Sequence, residues 1–232
     1  MPVNAGPSIR ESHVRLPIGP VTLDGDLAIP DGATSLVVFA HGSGSSRLSP
    51  RNVQVARGLQ DAGLATLLFD LLTQEEGAED AFTGHLRFDI ELLARRLLAV
   101  TDLLSGGFGG ATWRIGYFGA STGAAAALIA AAHRPDAVQA VVSRGGRPDL
   151  AGAALATVQA PTLLIVGELD RVVIDLNRDA FERLWCVRRL EIVPHATHLF
   201  EEPGTLEEVT RLARAWFEHY LMKPAAYAAA HM

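Results

Sequence analysis

Apolar residues fall along this chain in short continuous blocks, separated by stretches in which they recur every three or four positions. Residues 36–40 form an unbroken apolar run, and residues 64–72, 138–142 and 162–166 are predominantly apolar stretches. Such runs suit strands covered on both faces, whereas a half-exposed strand would alternate. Residues 13–17 and 21–29 do alternate, around Gly19-Pro20, and predict two edge strands paired as a hairpin. Helical spacing over residues 53–62 stops at Gly63. A longer amphipathic stretch over 86–104 is closed by glycines at 106, 107, 109 and 110. Residues 181–185 belong to a further helix, 189–193 to a last strand and 205–221 to a terminal helix, while the acidic segment 73–82 reads as a loop. Strands alternating with helices predict an α/β fold with a doubly wound, mostly parallel sheet flanked by helices.

One segment breaks the alternation in an informative way. Residues 114–118 are strand-like, Gly119-Ala120-Ser121-Thr122-Gly123 follows, and an alanine-rich helix runs on to His133. A strand that turns sharply into a helix leaves no room for side chains on either side of the turn residue. Gly-x-Ser-x-Gly provides that room and leaves the serine projecting over a helix N-terminus, the arrangement of a nucleophile elbow. Small residues after it let the helix lie close to the sheet.

A serine hydroxyl needs a neighbouring base, and the base needs an orienting acid. Two later loops offer both. Gly167-Glu168-Leu169-Asp170 follows the strand 162–166, and Pro194-His195-Ala196-Thr197-His198-Leu199-Phe200 follows the last strand. In an open parallel sheet the loops after successive strands gather on one edge. Spacing alone leaves Glu168 and Asp170 open as the acid, and His195 and His198 open as the base.

The four pieces His41-Gly42-Ser43-Gly44, Gly119–Gly123, Gly167–Asp170 and His195–Phe200, in that order, resemble a small α/β-hydrolase of the dienelactone-hydrolase-like group. The likeness spans residues 21–217. It implies a cap-free α/β-hydrolase fold and selects Ser121, Asp170 and His198 as the catalytic set. It further implies an oxyanion hole made by the backbone N–H groups of Ser43 and Thr122, and leaves His41 to brace the first loop. Dienelactone hydrolases proper carry a cysteine nucleophile, whereas this elbow carries Ser121, which favours general serine esterase chemistry. The expected reaction is cleavage of carboxylic esters of small or polar substrates through an acyl-enzyme. Thioesters, lactones, acyl transfer and a non-catalytic scaffold are the alternatives. Arg47 and Arg144 are expected on the same edge, where a guanidinium suits a carboxylate-bearing substrate; pairing with Asp70, Glu75 or Asp149 to brace loops is the other role open to them.

Composition narrows the partners. In 232 residues with 20% charged and 49% hydrophobic side chains, the formal net charge is −6, which offers no basic field for nucleic acid. Cys186 is the single cysteine, so neither a disulfide framework nor a cysteine metal site is expected. His195 and His198 sit three apart on a loop without a third ligand, and Gly42–Arg47 lacks the third glycine of a dinucleotide loop, so neither metal nor organic cofactor is expected. The first fifteen residues contain no hydrophobic signal region and no run approaches a membrane span, which predicts a cytoplasmic protein acting on a small molecule; the sequence does not specify an oligomeric state. Residues 1–224 are expected to form one domain and 225–232 a disordered tail.

Overall fold

The computed structural model describes residues 8–222, and the expected tail 225–232 lies outside them. Eight strands form one sheet in the order β1-β2-β4-β3-β5-β6-β7-β8. β1 (Ile9–Ile18) and β2 (Val21–Pro30) are the expected edge hairpin, and β2 also runs antiparallel to β4 (Ala65–Phe69). β3 (Ser35–Ala40), β4, β5 (Arg114–Ala120), β6 (Val138–Arg144), β7 (Thr162–Gly167) and β8 (Arg188–Val193) are parallel to one another. The sheet is therefore mixed but mostly parallel.

Alternate residues of each central strand enter opposite cores. Leu36, Val38 and Ala40 of β3 pack on one face with α3 (Ile90–Ser105) and α4 (Thr122–His133). Val37 and Phe39 pack on the other face with α1 (Pro50–Gln60) and α6 (Thr205–Phe217). Each fully buried Leu, Val or Phe contributes roughly 1.5–3 kcal/mol of transfer free energy, which is why these strands are predominantly apolar on both faces. α4 has no polar face, since every residue from Thr122 to Ala131 is buried. Its alanines allow close approach: a Cβ on Gly119 would stand 2.5 Å from Ala124 Cα, and one on Gly123 would stand 2.2 Å from Ala40 O.

Three segments depart from the periodicity. The acidic stretch expected as a loop is a helix, α2 (Gln74–Thr83), started by a capping box. Glu76 N–H donates to Thr73 Oγ1 at 3.2 Å, and Thr73 N–H donates to Glu76 Oε2 at 2.8 Å. The carboxylates Glu75 and Glu76 lie in its first turn, where they complement the helix dipole. The stretch expected as one helix from residue 86 is a 3₁₀ turn, Leu86–Phe88, followed by α3, because Asp89 caps Leu92 N–H and restarts the helix. The segment between β6 and β7 is occupied by 3₁₀ structure over Pro148–Thr157, not by a cap. α5 (Arg171–Arg183) completes the layers against β7 and β8, and a π turn, Glu218–Met222, ends the described chain.

Candidate active site

The carboxyl edge of the parallel strands carries every predicted site residue. Ser121 sits between β5 and α4 with φ 50° and ψ −123°, a conformation costly for any residue with a Cβ. The turn is held by its own backbone. Ser121 N–H donates to Arg144 O at 3.3 Å, and Ser121 O accepts from Ala124 N–H at 3.1 Å and Arg147 N–H at 3.0 Å. Gly42 of the first loop approaches so closely that a Cβ there would lie 2.9 Å from Ser121 Cβ. The loop after β3 therefore packs directly on the serine.

The acid and histidine loops are likewise locked together. A Cβ on Gly167 would meet Ala196 O at 2.4 Å, and Leu169 N–H donates to Ala196 O at 2.9 Å. This brings His198 Nδ1 to 2.6 Å from Asp170 Oδ2. Asp170 is the more enclosed partner, its side chain 15% exposed against 40% for His198. Asp170 also opens α5, its carbonyl accepting from Ile174 N–H. The imidazole leans on Gly145, where a Cβ would lie 3.6 Å from His198 Cε1. Gly145 follows Arg144, whose carbonyl holds the Ser121 N–H, so the serine and histidine loops share one support.

The alternatives left open by spacing meet each other. Glu168 Oε2 accepts from His195 N–H at 2.8 Å and lies 3.9 Å from His195 Nδ1. Both side chains are exposed, and His195 has a left-handed φ of 62°. They form a surface pair beside the site.

In the first loop, His41 Nε2 accepts from Leu71 N–H at 3.0 Å, which leaves Nδ1 to carry the proton toward Gly42 O, also 3.0 Å away. Burial pushes the His41 pKa below its ordinary value, against the opposing pull of Gly42 O and Asp70, so the ring stays neutral and braces the loop on β4. Ser43 N–H donates to Thr122 Oγ1 at 2.9 Å. That contact was not legible in the sequence, where only the two backbone N–H groups mattered. Arg47 is tied down by carboxylates: its N–H donates to Asp70 Oδ1 at 2.8 Å, Nε to Asp26 Oδ2 at 3.1 Å, and Nη1 pairs with Asp70 Oδ2. Arg144 differs. It is buried, its Nη2 reaches only Asn52 Oδ1 at 3.4 Å, and its guanidinium lies 5.9 Å from the Phe200 ring centre. Burial, with repulsion from Arg51, pushes its pKa down to about 10.

A cavity of about 660 Å³ opens between the first loop and α2, lined by His41, Ser43, Arg47, Asp70, Gln74 and Arg87 among others. Ser43 and Arg47 are the members it shares with the predicted site; Ser121 and His198 lie outside its wall. Among the described residues no group of three or more His, Cys, Asp or Glu side chains is arranged to hold a metal ion, and no helix is long and apolar enough to cross a membrane.

Residues 23–221 match the model of the dienelactone hydrolase family. The chain is 61% identical to a dienelactone hydrolase of Anabaena variabilis, whose crystal structure superposes with a TM-score of 0.90 over 92% of this chain and 99% of that one. It is also 55% identical over 220 residues to a Mycobacterium tuberculosis protein described as a candidate phosphoribosyl transferase. That match covers 95% of this chain and 49% of the relative, so the chain spans about half the length of the curated relatives it matches. Est1E of Butyrivibrio proteoclasticus, 16% identical, shares the fold with a TM-score of 0.74 over 89% of this chain and 98% of that one.

Proposed function

The chain belongs to the dienelactone hydrolase family, and from that premise we propose that it cleaves carboxylic esters of small substrates through an acyl-enzyme on Ser121. The observation that carries this reading is the 2.6 Å contact of His198 Nδ1 with Asp170 Oδ2, on the sheet edge that also bears the strained Ser121. Asp170 accepts a hydrogen bond from the Nδ1–H of His198, which leaves Nε2 as the basic nitrogen. Nε2 takes the proton from Ser121 Oγ as the hydroxyl attacks the ester carbonyl, and the Asp170 carboxylate then stabilises the imidazolium. The proton passes to the departing alcohol oxygen, the C–O bond breaks, and the acyl group remains on Ser121. Water, deprotonated by the same imidazole, hydrolyses the acyl-enzyme and regenerates the serine.

Charge on the tetrahedral oxygen is met by two backbone donors. Thr122 is the first residue of α4, where no preceding helical carbonyl takes its N–H. Ser43 offers the second N–H. In the free enzyme that donor rests on Thr122 Oγ1, so the arriving oxyanion replaces the threonine hydroxyl as its acceptor. The neutral His41 behind the loop keeps this segment fixed without adding charge.

The name of the Anabaena relative favours one further substrate class, because a lactone is an internal ester and opens by the same steps without releasing a separate alcohol. Labelling with a fluorophosphonate followed by peptide mass spectrometry tests the core of the reading. Modification at Ser121, absent from Ser121→Ala, is expected; an unlabelled Ser121 in folded protein would sink it. A panel of small esters, thioesters and lactones then fixes the preferred acyl compound.

A further inference from the structure

Arg144 is an anomaly in the electrostatics of this fold. It is 7% exposed, and among the described residues no carboxylate lies within ion-pair distance of its guanidinium. Its Nε is buried without any hydrogen-bond partner. A buried cation without a counter-charge is strongly unfavourable, and proteins normally pair it or replace it by an apolar residue. The interaction with Phe200 softens that cost without supplying an acceptor.

What surrounds Arg144 is also electropositive. Asn52, the one acceptor it reaches, lies in the first turn of α1. That helix starts with Pro50, its N-cap Ser49 makes no side-chain capping bond, and its first turn contains no acidic residue. Helices run back from the carboxyl edge of the parallel strands, so this unneutralised N-terminus faces the edge that bears Ser121. The N–H groups of Arg51 and Asn52 are its first-turn donors. Arg51 Nε is a second buried guanidinium nitrogen without a partner, and among the described residues the carboxylate paired with that side chain is the exposed Glu201, 3.1 Å from Nη1.

We infer that Arg144, Arg51 and the first turn of α1 form a subsite for a tetrahedral oxyanion, a phosphate group, beside the proposed nucleophile. Arg144 O holds the Ser121 N–H, which ties the subsite to the elbow. The donor geometry selects the shape of the anion. Asn52 Oδ1 already takes one N–H of Arg144 Nη2, which leaves Nε without an acceptor. The unpartnered donors belong to a strand and a helix and not to one planar fork, which suits an anion with several acceptor oxygens on one centre. In ester cleavage the group would be a phosphate carried by the substrate, and that extension rests on the reading of Ser121 as nucleophile. Free phosphate has the same chemistry, and the test separates the two.

Thermal unfolding of the full chain in inorganic phosphate and in chloride at matched ionic strength tests the subsite without reference to turnover. Phosphate is expected to raise the Tm of the wild type by about 2–4 °C. Arg144→Met should abolish that rise, and in chloride it should melt no lower than the wild type because an unneutralised charge has gone. A wild type insensitive to phosphate, the same rise in Arg144→Met, or a rise given by acetate in place of phosphate would each overturn the subsite. If Arg144→Met does not fold, Arg51→Ala carries the same comparison: a diminished rise supports the subsite and an undiminished one overturns it. For the source of the anion, the ratio of kcat/KM for a phosphorylated ester to that for its neutral analogue is measured. A fall of at least tenfold or so in Arg144→Met assigns the phosphate to the substrate, whereas an unchanged ratio beside a lost Tm rise assigns it to free phosphate. Absence of fluorophosphonate labelling at Ser121 would remove the nucleophile reading and leave the Tm result standing.

Discussion

Ser43 gives its backbone N–H to Thr122 Oγ1 at 2.9 Å, so the side chain next to the elbow serine holds the loop donor in readiness. The threonine is nearly inaccessible, and valine matches its volume without the acceptor. Thr122→Val should therefore leave the Ser43 N–H unsatisfied in the free enzyme, at a cost of about 1–3 kcal/mol in stability. The tetrahedral intermediate supplies its own oxygen to that donor, so kcat should fall less than about tenfold. Chemical denaturation and steady-state kinetics on the same sample check both halves. A loss of about a hundredfold or more in kcat with unchanged stability would mean that the hydroxyl itself acts on the substrate.

Asp170 pairs with His198 and Glu168 with His195, and under the proposed reading only the first pair acts on Ser121. Ser121→Ala and His198→Ala should each lower kcat by at least about 10³-fold. Asp170→Asn should be severely impaired, because an amide opposite Nδ1 favours the wrong tautomer. His195→Ala and Glu168→Ala, which disrupt an exposed surface pair, should cost far less. Initial rates on one small aryl ester suffice; a dead His195→Ala beside an active His198→Ala would reverse the assignment.

Much of this arrangement was legible in the sequence because it depends on local rules. An unbroken apolar run such as 36–40 can only be a doubly covered strand, and Gly119 and Gly123 are needed wherever a strand turns into a closely packed helix. Thr73-Gln74-Glu75-Glu76 was also readable as a capping box, and the acidity of the segment concealed it. Asp89 likewise could have been seen to restart the helix at Ile90. Contacts made across the fold carried no such signal. Thr122 lies 79 positions from Ser43, and Arg144 lies 92 from Asn52. Nothing near Arg47 in the chain shows that Asp26, on the edge hairpin, joins Asp70 in holding it.

The engagement of Arg47 by two carboxylates bears on its role. Its backbone and side chain both bond to Asp70, which fastens the loop carrying Ser43 to the end of β4. Arg47→Ala should lower stability by about 1–3 kcal/mol, because it leaves Asp70 in a partly buried position without its cation. It should reduce kcat/KM for carboxylate-bearing and neutral esters by similar factors. A selective loss on the charged ester would instead assign Arg47 to substrate recognition.

Asp80 joins α2 to the 3₁₀ turn that follows, and through them shapes the cavity wall. Burial alone would raise its pKa. The bonds from the Arg87 side chain, from Arg87 N–H and from Leu86 N–H outweigh that and hold it below the usual carboxylate range. A depressed pKa in the folded state means stability that is complete above the ordinary aspartate range and is lost as pH falls through the depressed value. The wild type should thus exceed Asp80→Asn in stability at neutral pH, and the gap should close on acidification. Urea unfolding of both proteins across the acid range would show it; a gap independent of pH would mean that the Asp80 charge is not what secures this wall.

Substrate size follows from what stands over the carboxyl edge. The segment between β6 and β7 contributes 3₁₀ structure at Pro148–Thr157, which is too short to form a helical cap. On the other side, the wall of the cavity beside Ser43 sets the charged Arg47, Asp70 and Arg87 among apolar surface that includes Leu72, Ala81 and Leu93. A long acyl chain gains its binding free energy by leaving water, at roughly 0.8 kcal/mol per methylene where the wall is apolar. Here added methylenes would meet a wall interrupted by charged side chains or remain in solvent, so that gain is reduced. Across a series of aryl esters of increasing acyl length, kcat/KM should be highest for the short chains and should not climb as methylenes are added. The rate should also pass smoothly through the concentration at which the longer esters form aggregates, because among the described residues the segment between β6 and β7 supplies no helical cap to open at an interface. A steady increase with chain length, or a jump in rate at the onset of aggregation, would require an apolar acyl channel that the interrupted wall beside Ser43 does not provide.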